Sequence, residues 1–239
     1  MEDRAVFRWG SWAAIIGGIA ALVVNFTHPR PESFADPIAE EIRIVGASDA
    51  WISIHVGILI ASLLITFGLF ALARSMKGGP AEGIARIALG SLLISTPIAI
   101  MTFLVDGYGM KAVTDSLATD PTQIGAATAV GHIGWALFMG TVMTFLGISP
   151  ALFGWAAATD GRYPKWMGWT AVLFGIASVA IGITGIINGG TQALFIAFSI
   201  SSGILTLWVI ALGIMLGRRA SEPVPIPEGK PTRTKAITR

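Results

Sequence analysis

The chain has no cysteine, which excludes disulfides, iron–sulfur clusters and thiolate metal sites. Charge is nearly as scarce. Asp, Glu, Lys and Arg make up 13% of the 239 residues, against roughly 25% in soluble domains. The formal net charge of +2 is too small to imply a nucleic-acid partner. There is no GxSxG elbow, P-loop, HExxH pair or glycine-rich fingerprint following a strand, so the common soluble chemistries are not encoded here.

Apolar residues are what the chain has instead. They form 54% of it, at a mean hydropathy of +0.73, and they gather in six runs at 9–27, 50–74, 84–106, 124–149, 166–188 and 192–216. Each run has about the 20 or more residues with which an α-helix crosses a bilayer. The expected fold is all-α: a polytopic membrane protein with six transmembrane helices paired as three hairpins over residues 1–217. A basic, proline-containing, disordered tail is expected over 218–239. The first run follows Arg4 and Arg8 as a signal peptide would. Asn25-Phe-Thr-His-Pro offers no small-residue cleavage site, so the run is read as a span.

Lysine and arginine fix the expected orientation, because cytoplasmic segments are enriched in them. With the N-terminus inside, Arg4, Arg8, Arg74, Lys77, Arg86, Arg162, Lys165 and the six basic residues from Arg218 onward all lie inside. The outer loops then hold only Arg30, Arg43 and Lys111. Both termini are expected in the cytoplasm of a plasma-membrane protein. Trp9, Trp12, Trp155, Trp166 and Trp169 fall at the inner interface, where an indole buries its ring and keeps its N–H wet.

The first outer loop carries a helix start at Asp36-Pro37, an N-cap carboxylate followed by proline at the first helical position. Ile38, Ile42 and Val45 then recur on one face, so a short helix is expected to lead into the second span. Asp120-Pro121 is the same device before the fourth span.

Short motifs suggest an internal repeat. His55-Val-Gly-Ile-Leu, His132-Ile-Gly-Trp-Ala-Leu and Ser201-Ser-Gly-Ile-Leu share a glycine, at Gly57, Gly134 and Gly203, which predicts close helix packing at all three. His55 lies 19 residues beyond Asp36 and His132 lies 12 beyond Asp120. The difference of seven is about two helical turns, so the histidines are expected to share depth and facing. Arg8-Trp-Gly-Ser-Trp and Lys165-Trp-Met-Gly-Trp open the first and fifth spans in parallel.

Ionisable groups in apolar runs are costly and usually face a bundle interior. Here they are His55, His132 and Asp106, with His28 and Asp49 at the outer edge, and no Lys, Arg or Glu falls mid-run. A relay of carboxylates across the full thickness is absent, which argues against an ion-coupled pump acting alone. Helical spacing aligns His55 with Ser62 and Thr66, Ser95 with Thr102 and Asp106, and Ser199 with Ser202 and Thr206. These polar stripes are expected to meet. The candidate site is an outward pocket ringed by His55, Asp106 and His132, floored by Ser62, Thr66, Ser95 and Thr102, with Asn25, Asn188 and Trp135 beside it. Equally, these groups can serve to satisfy one another at helix junctions. His55, Asp106 and His132 have the atom types of metal ligands but no local pair at i, i+3 or i+4, so no metal and no cofactor is assigned.

In hairpin arrangement and composition the chain resembles small six-helix integral membrane proteins of bacteria, a likeness that implies a fold and no activity. It is similar in size to the six-helix substrate-binding subunits of vitamin uptake transporters, and Ala13-xxx-Gly17-xxx-Ala21 offers the small-residue face that a partner helix needs. Three functions are consistent with these features. One is binding of a small-molecule or lipid-like ligand as a transport or binding component. Another is a membrane-embedded enzyme acting on an isoprenoid- or quinone-like substrate, with Asp106 as acid and His55 or His132 as base. The third is a structural subunit of a membrane complex. Expected partners are the bilayer, a small-molecule or lipid ligand and another membrane protein, and no nucleic acid.

Overall fold

The computed structural model describes residues 2–221, with side chains from residue 4 onward, and every regular element among them is helical. In chain order these are α1 (Glu2–Thr27), α2 (Pro37–Ala47), α3 (Trp51–Ser75), α4 (Gly79–Leu104) and α5 (Lys111–Thr119), then α6 (Ile124–Met143), α7 (Ser149–Asp160), α8 (Lys165–Asn188) and α9 (Gln192–Ser221). A π-helical turn at Val105–Met110 joins α4 to α5, and another at Thr144–Ile148 joins α6 to α7. Six continuous helical stretches, Arg4–Thr27, Trp51–Ser75, Gly79–Thr119, Pro121–Asp160, Lys165–Asn188 and Gln192–Ser221, are long and apolar enough to cross a membrane.

The six apolar runs thus become six long helices, with corrections at their ends. The third and fourth continue through π turns well beyond the predicted limits. The second of these turns lies just ahead of Pro150, which has no N–H to continue the α-helical ladder. The last helix runs on to Ser221, so Arg218 and Arg219 are helical and not part of a loose tail. The remainder of the expected tail, from residue 222, lies outside the described residues.

Consecutive long helices pack side by side and close a ring: α1 on α3, α3 on α4, α4 on α6 and α7, these on α8, α8 on α9, and α9 back on α1. Small residues set the seams. A Cβ added at Gly10 would stand 2.1 Å from the Cβ of Ala71, and one at Gly68 would stand 2.7 Å from that of Ala14. Gly17 lies against Leu64 and the Ala61 carbonyl. The face expected to await a partner helix is therefore occupied within the chain by α3. At the α7–α8 seam a Cβ on Gly154 would meet the Gly168 carbonyl at 2.5 Å.

Polar stripes run between the helices and bond to one another. Ser91 and Ser95 approach Ser149 at 2.9 and 3.2 Å, Thr102 approaches Thr141 at 2.7 Å, and Ser178 approaches Ser201 at 2.8 Å. At one end Arg219 donates to the Tyr163 hydroxyl and to the Ser75 carbonyl, tying α9 to the loop before α8 and to the end of α3. Outward the ring presents large apolar side chains, among them Ile16, Phe67, Ile94, Leu173 and Ile187. An apolar surface of this extent marks a membrane-facing exterior. The five tryptophans assigned to an interface are all exposed on it.

Candidate functional site

The site begins with the loop between α1 and α3. Asp36 caps α2 as its sequence predicts, accepting from the Ala39 N–H at 3.1 Å. The helix then packs Ile44 and Val45 against Trp51 and Met110. Glu40, only 8% exposed, accepts two bonds from the Arg43 guanidinium at 2.8 Å and one from the Glu32 N–H at 2.7 Å. The Arg43 hydrogen bonds, then the Glu32 amide, hold its carboxyl down at about 2. This clasp folds residues 28–36 over the end of the ring.

Beneath the loop lies His55, 2% exposed, on the first turns of α3. Its Nδ1 is 2.8 Å from the Trp51 carbonyl oxygen, and its Nε2 is 3.0 Å from Asp106 Oδ2. The Trp51 indole N–H donates to the Asp106 carbonyl at 2.8 Å, satisfying a backbone oxygen that the π turn loosens. Gly107 makes the approach possible, because a Cβ there would stand 2.4 Å from the Cβ of His55.

The hydrogen bonds fix the proton count of the pair. A carbonyl oxygen only accepts, so Nδ1 carries a proton and donates to Trp51. Nε2 then faces a carboxylate oxygen, and their contact is a hydrogen bond only if one further proton lies between them. The pair is either imidazolium with carboxylate or imidazole with carboxylic acid, and both forms share a proton along one line. Asp106 Oδ1 is buried and takes no hydrogen bond.

His28 completes the cluster. Its Nδ1–H donates to the Pro29 carbonyl at 2.8 Å, and its ring stands edge-on to Trp51 and His55 at 5.1 and 5.2 Å. Burial, and then the nearby His55, lower its pKa below the usual histidine range, so the neutral imidazole is favoured.

Two chambers meet at Asp106. The inner one, about 180 Å³, reaches from Asn25, His28 and His55 past Ser62, Thr102 and Thr141 to Ser202 and Thr206, between walls of Phe103, Phe138, Phe145, Phe195 and Phe198. The outer one, a vestibule of about 130 Å³, lies under the loop and is lined by Phe34, Glu41, Trp51, Gly134 and Trp135. Asp106, Phe138 and Phe195 line both, so the two chambers adjoin at these three side chains, called the neck below. Burial, with the charge of Asp106 adding to it, pushes Glu41 up to about 8.

Of the residues singled out by sequence, His55, Asp106, Asn25, Ser62 and Thr102 line the inner chamber and Trp135 the vestibule. The Trp135 indole N–H is engaged by the Gly185 carbonyl at 3.0 Å. Thr66 and Ser95 lie outside both linings: Thr66 donates to the Ser62 carbonyl and Ser95 bonds to Ser149. Asn188 is exposed and lines neither chamber.

His132 is also exposed and takes no part in either lining. The expected common facing of the two histidines fails because the helix is interrupted in one case only. Asp36 opens α2, which ends at Ala47 before α3 starts at Trp51. Asp120 instead caps a single turn that runs directly into α6. Helical phase cannot be counted across the break.

The shared glycines are corrected in the same way. Gly57 does meet Val24, but a Cβ at Gly134 or Gly203 would meet nothing within 4 Å.

The site expected from sequence omits Glu41, Phe195 and Phe198, and leaves His28 at the outer edge without a role in it. Glu41 and His28 sit in a polar loop that reads as solvated, and only the capped, amphipathic α2 signals that it packs. No family model matches the chain, and neither a curated protein nor a solved structure is similar to it.

Proposed function

We propose that this chain is an integral plasma-membrane protein that binds a small or lipid-like ligand in a pocket opening toward the outer face, as a transport or binding component. The observation that carries this reading is the pair of chambers joined at Asp106, apolar along their walls and polar at one neck. Pockets of this composition hold a ligand by its apolar body and orient it by a few polar groups. The distribution of Lys and Arg supports three hairpins with both termini in the cytoplasm, which turns the vestibule outward.

The test is retention of small molecules by the purified protein in lipid nanodiscs, read by mass spectrometry after denaturation. Wild type and His132→Ala are expected to retain the same compound. His55→Ala and Ser62→Phe, which alter the neck and fill the inner chamber, are expected to lose it. Equal retention by all four folded proteins would remove the basis for the pocket.

A second reading has its own observation. The proton shared by His55 and Asp106 suits acid–base chemistry on a hydrophobic substrate in the inner chamber, with Asp106 as acid and His55 as the group that returns the proton. An activity whose pH dependence survives Asp106→Asn would exclude that reading.

A further inference from the structure

The charge and ring content of the two chambers narrow the ligand class, on the premise that they bind a ligand at all. Among the described residues no lysine or arginine lines either chamber. The ionisable groups that do are the carboxyls of Glu41 and Asp106 and the imidazoles of His28 and His55. His28 donates its Nδ1–H to Pro29, and His55 directs both ring nitrogens at protein oxygens. An anionic ligand such as a fatty acid or a phosphate finds no free cation here.

The walls have the opposite bias. Phe34 stacks near Phe195 at 5.9 Å, Phe195 near Phe198 at 6.3 Å, Phe198 against Phe138 at 5.1 Å, and Phe138 near Trp135 at 6.0 Å. Five rings thus run in contact along the vestibule and through the neck. Aromatic faces attract cations through their quadrupole, most strongly where water is excluded. Asp106 Oδ1, buried at this neck, has no hydrogen-bond partner.

We propose that the ligand is a lipophilic organic cation whose ammonium group sits in the vestibule, between Asp106, Glu41 and the aromatic rings, and whose apolar chain enters the inner chamber. The chamber's size suits a short chain or a ring, since a cavity of ~150 Å³ admits benzene. An ammonium beside Asp106 and Glu41 is attracted to both groups and offsets the cost of ionising Glu41 so close to Asp106. Glu41, held protonated by burial and by Asp106, gives up its proton when the cation arrives. Binding is therefore coupled to proton release and strengthens as pH rises.

The experiment titrates the protein in nanodiscs with hexyltrimethylammonium, 1-hexanol and hexanoate by calorimetry, with empty nanodiscs as blank. The cation is expected to bind about tenfold or more tighter than either companion, a step of ~1.4 kcal/mol. Its affinity should rise about tenfold between about pH 6 and about pH 9. Glu41→Gln should flatten that rise, and Asp106→Asn should weaken the cation about tenfold while leaving hexanol unchanged. If hexanol or hexanoate binds as tightly as the cation, the cation proposal is overturned and the binding pocket stands. If no probe binds above the blank, both are overturned. Cation binding that is indifferent to pH overturns the placement beside Glu41, and this comparison uses wild type alone, so it does not depend on any variant folding.

Discussion

A Cβ placed on Gly107 would stand 2.4 Å from the Cβ of His55 and 2.9 Å from its Cγ. The π turn and α3 can therefore touch only because residue 107 has no side chain. Gly107→Ala is expected to force them apart, at about 1–3 kcal/mol, and to lengthen the 3.0 Å contact between His55 and Asp106. The nearest atom is a Cβ, so His55→Ala does not relieve the clash and His55→Gly does. Thermal unfolding of the single and double variants in detergent checks this. The coupling between positions 107 and 55 should be near zero when His55 becomes Ala, and about 1 kcal/mol when it becomes Gly.

Asparagine and alanine at position 106 separate charge from hydrogen bonding. With Nδ1–H committed to Trp51, a neutral His55 presents a lone pair at Nε2, and the amide N–H₂ of asparagine can donate to it. Asp106→Asn should therefore keep stability within about 1 kcal/mol of wild type. Asp106→Ala leaves a buried acceptor without a donor and should cost about 1–3 kcal/mol. The order of the two melting temperatures decides the matter. If asparagine were the worse replacement, the geometry of the pair would be other than described.

The long helices were legible because an apolar run of ~20 residues has few alternatives to a membrane-length helix. The joining of His55 and Asp106 was legible for a related reason: among so few ionisable groups in apolar runs, those that face inward must find each other. Facing itself was the weak point. The phase of His55, counted from Asp36, was carried across a break between α2 and α3, whereas His132, counted from Asp120, lies on an uninterrupted helical stretch. The burial of Glu41, and of His28 beyond its place at the outer edge, was invisible for the opposite reason, since burial of a loop depends on what covers it and not on its own composition. The short helix from Asp36-Pro37 was the one local sign that this loop is built, and it is present with its cap formed.

The glycines sort into two kinds that sequence alone does not separate. Gly154 and Gly168 stand where the backbones of α7 and α8 nearly touch, and a Cβ on either would lie 2.5 Å from a backbone atom of the other helix. Gly154→Ala and Gly168→Ala must spread the two helices and are expected to cost about 1–3 kcal/mol each. Gly203→Ala meets open space and should be neutral or stabilising by up to about 1 kcal/mol, as alanine restricts the unfolded chain. Unfolding midpoints of these three variants test the distinction directly, and a Gly203→Ala loss as large as the seam losses would contradict it.

Glu40 and Glu41 are neighbours in sequence with pKa displacements of opposite sign, and stability should record both. Glu40 is held at about 2 against an ordinary 4.5. Between those values the unfolded chain binds more protons than the folded one, so stability rises as pH climbs from about 2 to about 4.5. Glu41 is pushed to about 8 from the same 4.5. Between about 4.5 and about 8 the folded protein keeps a proton that the unfolded chain has released, so stability falls as pH climbs and then levels off. The melting temperature of wild type, followed across this range in detergent, should pass through a maximum near pH 5. Glu41→Gln should remove the descending limb and leave the ascending one, while Glu40→Gln should remove the ascending limb's share that Arg43 confers. A general acid effect on the surface moves both limbs together. Selective loss of one limb by each variant therefore assigns each limb to its own carboxyl.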